Sequence, residues 1–116
     1  MAKPGEQNFQ YTEGDDETYV ITLVRQATLQ PIDLTGATVS AEVRDNYASL
    51  GGVVIATATC TVTDGPGGQL TMELASTDTK TMGGITYKYD IQVEIGGKKR
   101  TYLKGELQGT NEVTDL

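Results

Sequence analysis

Apolar and polar side chains alternate with a period of two along the segment PIDLTGATVSAEVR, residues 31–44. Successive side chains of a β-strand point to opposite faces, so this pattern predicts a strand with one face buried and the other in water. The turn residues Asp33, Thr35 and Gly36 place the start of the strand after Gly36. The predicted buried face carries Ala37, Val39, Ala41 and Val43.

Two segments that flank a glycine-rich turn predict a hairpin. Residues 54–63 alternate between apolar side chains and threonines, and residues 69–75 place three large apolar side chains on one face. Between them, Asp64-Gly-Pro-Gly-Gly is a strong turn signal. Upstream, YVITLV at residues 19–24 is apolar on both faces and predicts an interior strand with little solvent exposure.

A second hairpin is predicted around Gly96-Gly97, a pair that tolerates the positive φ angles of a primed two-residue turn. Residues 85–95 alternate strictly before it, which predicts that every second residue from Ile85 to Ile95 faces the core, and residues 99–108 return antiparallel after it. In this register Tyr102 falls on the outward face. Residues 76–82, STDTKTM, include capping residues but have only a short apolar face, and they predict a single helical turn.

The spacing of these segments predicts the fold class. Six strands, or seven if residues 8–12 also pair, recur about every ten residues with turns between them. This pattern favours an all-β fold, a two-sheet antiparallel immunoglobulin-like sandwich, with a jelly roll or a small barrel as alternatives. The 116 residues suit a single domain over 1–116, with a polar N-terminal arm at 1–10 and a short C-terminal tail at 109–116.

Charge and cysteine content narrow the functional classes. The net charge of −7 disfavours nucleic acid as a partner, because phosphate contacts need a basic surface. The single cysteine, Cys60, precludes an intramolecular disulfide, as expected for a chain made in a reducing cytoplasm, and its alternating strand favours a core position. No window is long and apolar enough to cross a bilayer, so neither a membrane partner nor a secretion signal is expected.

The available side chains disfavour catalysis. The chain has no histidine, which removes the commonest general base and the nucleophile pairs that depend on it. The run Asp15-Asp16-Glu17 predicts a solvated acidic turn, with a hard-cation site as the alternative. The glycine-rich stretches at 65–68 and 96–97 do not precede helices and predict turns, not phosphate cradles. We therefore expect no enzymatic activity, no cofactor and no metal.

Basic residues are concentrated at the second hairpin. Lys98, Lys99, Arg100 and Lys104 account for four of the nine lysines and arginines. One interpretation is a solvated hairpin tip whose charges keep an edge strand from pairing promiscuously. The other is docking onto an acidic protein surface, for which Tyr102 is an additional interface candidate.

Several segments together resemble the small β-sandwich domains of tailed-phage virion proteins, nearest to the N-terminal domain of upper-baseplate proteins. The similarity covers roughly residues 8–109. The matching segments are Gly14-Asp15, the PIDLTG turn with its alternating strand, the hairpin Asp64–Leu74, the short helical segment Ser76–Met82 and YKYDIQV at Tyr87–Val93.

This resemblance implies a non-enzymatic structural protein of the virion, made in the host cytoplasm. The expected role is a capsid decoration or cement protein that binds the assembled shell, with the major capsid protein or other virion proteins as partners and homo-oligomeric contacts in the assembly. The alternatives are a tail, baseplate or head-tail accessory protein of the same fold, or an unrelated sandwich binding module. The expected partner contacts come from the N-terminal arm and the basic hairpin: Pro4, Phe9, Tyr11, Lys98, Lys99, Arg100 and Tyr102.

Overall fold

The computed structural model describes residues 5–25, 27–46 and 50–111. These residues form mostly β-strands with one short helix, so the all-β prediction is confirmed. The elements in chain order are β1 (Gly5–Glu6), β2 (Phe9–Thr12), β3 (Glu17–Thr22), β4 (Thr38–Arg44), β5 (Val54–Asp64), β6 (Gln69–Leu74), α1 (Ser76–Met82), β7 (Tyr87–Ile95) and β8 (Lys98–Thr110).

The described strands form one continuous mixed sheet. Its order is β1-β8-β7-β4-β5-β6-β3, with β2 also paired to β8. Strands β1 and β2 run parallel to β8, whereas the other pairs are antiparallel. The predicted two-sheet antiparallel sandwich is therefore not confirmed, because an unbroken path of paired strands curls into a half-barrel.

The curl is centred on the long strand β5. Its first half, as far as Ala58, pairs with β4, and its second half, from Thr59, pairs with β6. Phe9 and Tyr19 belong to strands at opposite ends of the sheet, yet their ring centroids lie 4.8 Å apart. The Tyr19 hydroxyl also donates to the Gln10 carbonyl oxygen at 2.7 Å. Side chains thus bring the two ends of the sheet together.

The core occupies the concave side of the sheet and follows the predicted alternation in β4, β6 and β7. Val43 and Ile91 are fully buried, and so are the three apolar residues of β6: Leu70, Met72 and Leu74. Two predictions are wrong. Strand β3 is an end strand of the sheet with Val20 65% exposed, and Ile85, predicted to be inward, precedes β7 and is 62% exposed.

Helix α1 extends over about two turns instead of the predicted single turn. Two contacts from the acidic turn after β2 account for the added length. The Asp16 carboxylate accepts a hydrogen bond from the Ser76 backbone amide, with an N–O distance of 2.7 Å. The buried Thr79 hydroxyl donates to the Asp15 carbonyl oxygen at 2.7 Å. Met82 adds a buried apolar contact. The acidic turn is therefore a docking point for the helix as well as a charged surface.

The predicted N-terminal arm is replaced by paired strands within the described residues. Gly5–Glu6 and Phe9–Thr12 pair with β8, because Gly105 has no side chain and the Gln7 backbone passes directly over it. The Tyr89 hydroxyl donates to the Gln7 carbonyl oxygen at 2.6 Å. At the other terminus, residues 109 and 110 complete β8 instead of starting the predicted tail, whose residues 112–116 lie outside the described part.

Candidate protein-binding groove

The structure separates the predicted contact residues into two groups. Tyr11 is 1% exposed, and its hydroxyl donates to the carbonyl oxygens of Gly83, at 2.7 Å, and Ile85. Burial raises the pKa of Tyr11 to about 12, which keeps the hydroxyl protonated as a donor. Phe9 is half-buried against the core, and Pro4 lies outside the described residues. Tyr11 therefore has a structural role and offers no surface to a partner.

The basic residues lie at the tip of the β7–β8 hairpin and are exposed. Gly96 and Gly97 have φ angles of 58° and 80°, as the predicted primed turn requires. Strand β4 begins at Thr38, which pairs with Glu94, so the tip extends beyond the neighbouring strand. The hairpin therefore presents part of the concave face of the sheet to solvent.

Strand alternation divides the three tip cations between the two faces of the hairpin. Lys98 pairs with Ile95 and Arg100 pairs with Val93, which places both cations on the concave face. Lys99 pairs with Glu94 on the convex face, where its Nζ lies 4.0 Å from a Glu94 carboxylate oxygen. The three consecutive basic residues 98–100 therefore contribute to two different surfaces of the folded hairpin.

Tyr102 reaches the concave face through a β-bulge. Ile91 pairs with Leu103, but the next residue, Gln92, pairs with Thr101, so Tyr102 is an extra residue in β8. A bulge interrupts the strict alternation of side chains. The predicted outward orientation of Tyr102 is therefore wrong: the side chain is half-buried and packs against the core.

Together these side chains form a shallow groove of about 140 Å³, lined by Val93, Ile95, Lys98, Arg100 and Tyr102. Its floor is apolar and continuous with the core, since Val93 is buried, while Ile95 is 42% exposed. An apolar floor beside two cations suits a partner that offers an apolar side chain next to a carboxylate. Sequence reasoning missed Val93 and Ile95 as lining residues, because alternation assigned both to the core.

The convex face of the same strands carries a network of charges. Lys88 forms an ion pair with Glu106, which lowers the pKa of the Glu106 carboxyl. Asp90 pairs across the strands with Glu42, and partial burial followed by repulsion from Glu42 raises the pKa of Asp90. Lys88 and Glu106 thus neutralise each other, whereas Asp90 and Glu42 are like charges that repel, so the convex face carries charges of both signs while the groove carries two cations.

Cys60 is partly buried in β5 and packs against the core. Burial raises the pKa of the Cys60 thiol to about 11, so it is protonated at neutral pH. Within residues 5–25, 27–46 and 50–111, no group of three potential metal ligands is found. In those same ranges, no helix has the length and apolar character needed to span a membrane.

No protein-family model matches the chain, and no curated protein is significantly similar to it in sequence. Of the seven predicted contact residues, the groove brings together Lys98, Arg100 and Tyr102. Lys99 is adjacent but faces the opposite side of the hairpin.

Proposed function

We propose that this chain is a non-enzymatic structural protein of a phage virion that binds a neighbouring protein through the groove at the β7–β8 hairpin tip. The observation that carries the proposal is the exposure of Lys98 and Arg100 beside the apolar floor formed by Val93, Ile95 and Tyr102. Tyrosine and arginine are enriched at the centres of protein interfaces. The resemblance of the sequence to small virion β-domains supplies the biological setting.

The charge distribution favours an acidic partner surface. Lys98 and Arg100 have no ion pair among the described residues, whereas Lys99 lies close to Glu94. An incoming carboxylate would gain charge-assisted hydrogen bonds at Lys98 and Arg100, and an adjacent apolar side chain would cover Ile95. In such a contact the hydrogen bonds would orient the partner, and the covered apolar surface of Ile95 would add binding energy.

Within this class we propose a capsid decoration or cement protein, with the major capsid protein of the shell as its partner. The support is the small size of the β-domain, its exposed docking tip and the sequence resemblance. Quantitative densitometry of purified virions tests the assignment. Hundreds of copies per particle are expected for a shell protein, a handful would instead indicate a tail or baseplate protein, and absence from virions would refute the proposal.

The groove is tested by matched charge removals in particle binding. Lys98→Gln combined with Arg100→Gln is expected to weaken binding to purified shells at least tenfold and to flatten its dependence on salt. Lys99→Gln, which removes a cation from the opposite face of the same hairpin, is the control and should leave binding nearly unchanged. Equal losses in both variants would show that general charge, and not the groove, drives binding.

A further inference from the structure

Strand β3 is the last strand of the described sheet, and one of its two edges pairs with no other described strand. Its other edge pairs with β6 in a regular antiparallel register from Glu17 to Thr22. The chain stays extended past Thr22, because Val24 forms an antiparallel bridge with Pro31. The open edge therefore runs along β3 and continues to Val24.

Backbone hydrogen bonds show which residues face this open edge. The Leu23 amide donates to the carbonyl oxygen of Gly68, the residue before β6, at 2.8 Å. The backbone groups of alternate residues in a strand point to opposite edges. Val20, Thr22 and Val24 therefore direct their N–H and C=O groups away from β6, toward the open edge.

The segments at the two ends of β3 leave the stretch Val20–Val24 accessible. The Arg25 amide donates to the Gln30 carbonyl oxygen at 2.9 Å, on the same side as β6, so the following loop turns away from the open edge. At the other end of the strand, the Glu17 carboxylate and the Tyr19 hydroxyl hydrogen-bond to the backbone of β2. The approach of β2 is thus confined to the first residues of β3.

The side chains along the open edge favour pairing with another strand. Val20 is 65% exposed, Thr22 is exposed and Val24 is half-buried, and all three are β-branched residues typical of strands. Exposed edges of natural sheets are usually blocked by charged residues, proline, bulges or very short strands. The opposite end of the sheet follows this rule, because β1 has two residues and Glu6 lies 3.9 Å from the Lys104 Nζ. The stretch from Val20 to Val24 contains no charged residue and no proline.

We propose that this edge of β3 pairs with the same edge of a second copy of the chain, so that two sheets join around a two-fold axis. In the antiparallel register centred on Thr22, Thr22 lies opposite Thr22 of the second copy, and Val20 lies opposite Val24. Threonine then meets threonine and valine meets valine, and such matched cross-strand pairs stabilise a sheet. The partner is a second copy because this register makes the edge complementary to itself. The proposal does not depend on the groove.

The same register brings unlike charges together. Arg25 is exposed and lies opposite Tyr19 of the second copy, so the diagonal neighbour of Arg25 is Glu17. Strand alternation places Arg25 and Glu17 on the same face of the joined sheet. The charged residue of β6, Glu73, pairs with Thr18 and faces the opposite side. Two copies of net charge −7 repel each other at long range, and two Arg25–Glu17 contacts would oppose this repulsion at the edge.

A charge exchange at the two-fold axis tests the proposal in the full chain. Thr22→Lys and Thr22→Glu each place like charges opposite each other in a symmetric dimer, which is unfavourable. A mixture of the two variants places lysine opposite glutamate and should restore pairing. Thr61→Lys is the matched control, because Thr61 is exposed on the same convex face but lies in β5, two strands in from the edge. Circular dichroism and urea denaturation establish that each variant is folded.

Mass is measured by sedimentation velocity and light scattering over a series of protein concentrations. The wild type and Thr61→Lys should form a dimer whose fraction rises with concentration, and each Thr22 variant alone should remain a 12.4 kDa monomer. An equimolar mixture of the two Thr22 variants should form a species of twice that mass. The wild-type dimer should persist at high salt, because salt screens the repulsion between two acidic copies.

A wild type that stays monomeric over the whole concentration range would overturn the proposal, and so would a mixture of Thr22 variants that forms no dimer. Equal loss of the dimer in Thr61→Lys would show that added charge, and not the β3 edge, controls association. Species larger than a dimer would also contradict it, because a two-fold contact uses the same edge of both copies and closes at two. These outcomes leave the proposed function untouched, since the groove is on β7 and β8 and shell binding is measured with its own variants.

Discussion

Strands β1 and β2 pair with β8, and the tip of the β7–β8 hairpin contains the first residues of β8. These two regions differ in how they are held in place. The N-terminal segment is fixed by the buried hydroxyls of Tyr11 and Tyr89 and by its close approach to Gly105. The tip is held by its own two-stranded ladder and a glycine turn, while its basic side chains are exposed. A rigid backbone with exposed side chains is suited to recognition; the N-terminal segment is suited to closing the sheet.

The largest expected effect comes from removing the buried tyrosine of the N-terminal segment. Tyr11→Ala should lower the free energy of unfolding by about 3–5 kcal/mol, because it empties a buried site and leaves two carbonyl oxygens without their donor. Urea denaturation followed by circular dichroism measures the change. Tyr102→Ala, at the half-buried groove, is the control and should cost clearly less. A loss below about 1 kcal/mol for Tyr11→Ala would contradict the structural role assigned to β2.

A second variant tests the close contact between the backbone of the N-terminal segment and β8. A Cβ added at Gly105 would lie 2.0 Å from the Gln7 carbonyl oxygen, so the Gln7 backbone must move. Gly105→Ala should cost about 1–3 kcal/mol of unfolding free energy. Hydrogen exchange locates the effect, because the Gln7 amide, which donates to the Lys104 carbonyl at 3.0 Å, should lose protection. Unchanged exchange at Gln7 would disprove the close approach.

A pH titration compares two carboxyl groups on the convex face of β7 and β8. The pKa of Asp90 is raised in the folded state, so its contribution to stability falls as pH rises from 3.8 through the folded pKa. The pKa of Glu106 is lowered beside Lys88, so its contribution is present above 4.5 and lost as pH falls through the folded pKa. We expect Asp90→Asn to gain stability relative to wild type, and Glu106→Gln to lose it, as pH rises to neutrality.

Urea unfolding at a series of pH values measures both variants. The informative quantity is the sign of each slope relative to wild type, since both groups are partly solvent-screened and the absolute changes are small. Slopes of the same sign in both variants would contradict the opposite environments that the structure gives these two carboxyls.

The smallest expected effect on stability is at the hairpin tip. Replacing Lys98 and Arg100 by glutamine should change the free energy of unfolding by no more than about 0.5 kcal/mol, because both side chains are exposed. The same substitutions should weaken groove binding at least tenfold, so stability and recognition are separable at this end of the molecule. A large loss of stability in urea denaturation would mean that the tip, like the N-terminal segment, is part of the folded framework.

Local sequence signals were sufficient for most of the elements, although not for β1 or for the length of α1, and they did not predict the contact surface. The primed turn at Gly96-Gly97 and the alternation of β4 were predictable, because both depend on neighbours in sequence. The position of Tyr102 was not predictable, because a single-residue bulge in β8 reverses the alternation without any distinctive residue type. Strand alternation alone predicts that Lys98 and Lys99 face opposite sides of the sheet. Only the pairing of β8 with β7 shows which of the two faces carries the groove.

By itself, the sequence determined a chain of short strands with glycine turns, an apolar face for each strand and a concentration of positive charge at one hairpin. These features arise from side-chain period and backbone preference, which act over a few residues. Only the tertiary structure decided that β1 and β2 join β8 in parallel, that the sheet curls at β5 and that the cationic groove and the acidic turn after β2 lie at opposite ends of β8. Those outcomes depend on contacts between residues up to about a hundred positions apart, such as that between Asn8 and Glu106, which no local pattern specifies.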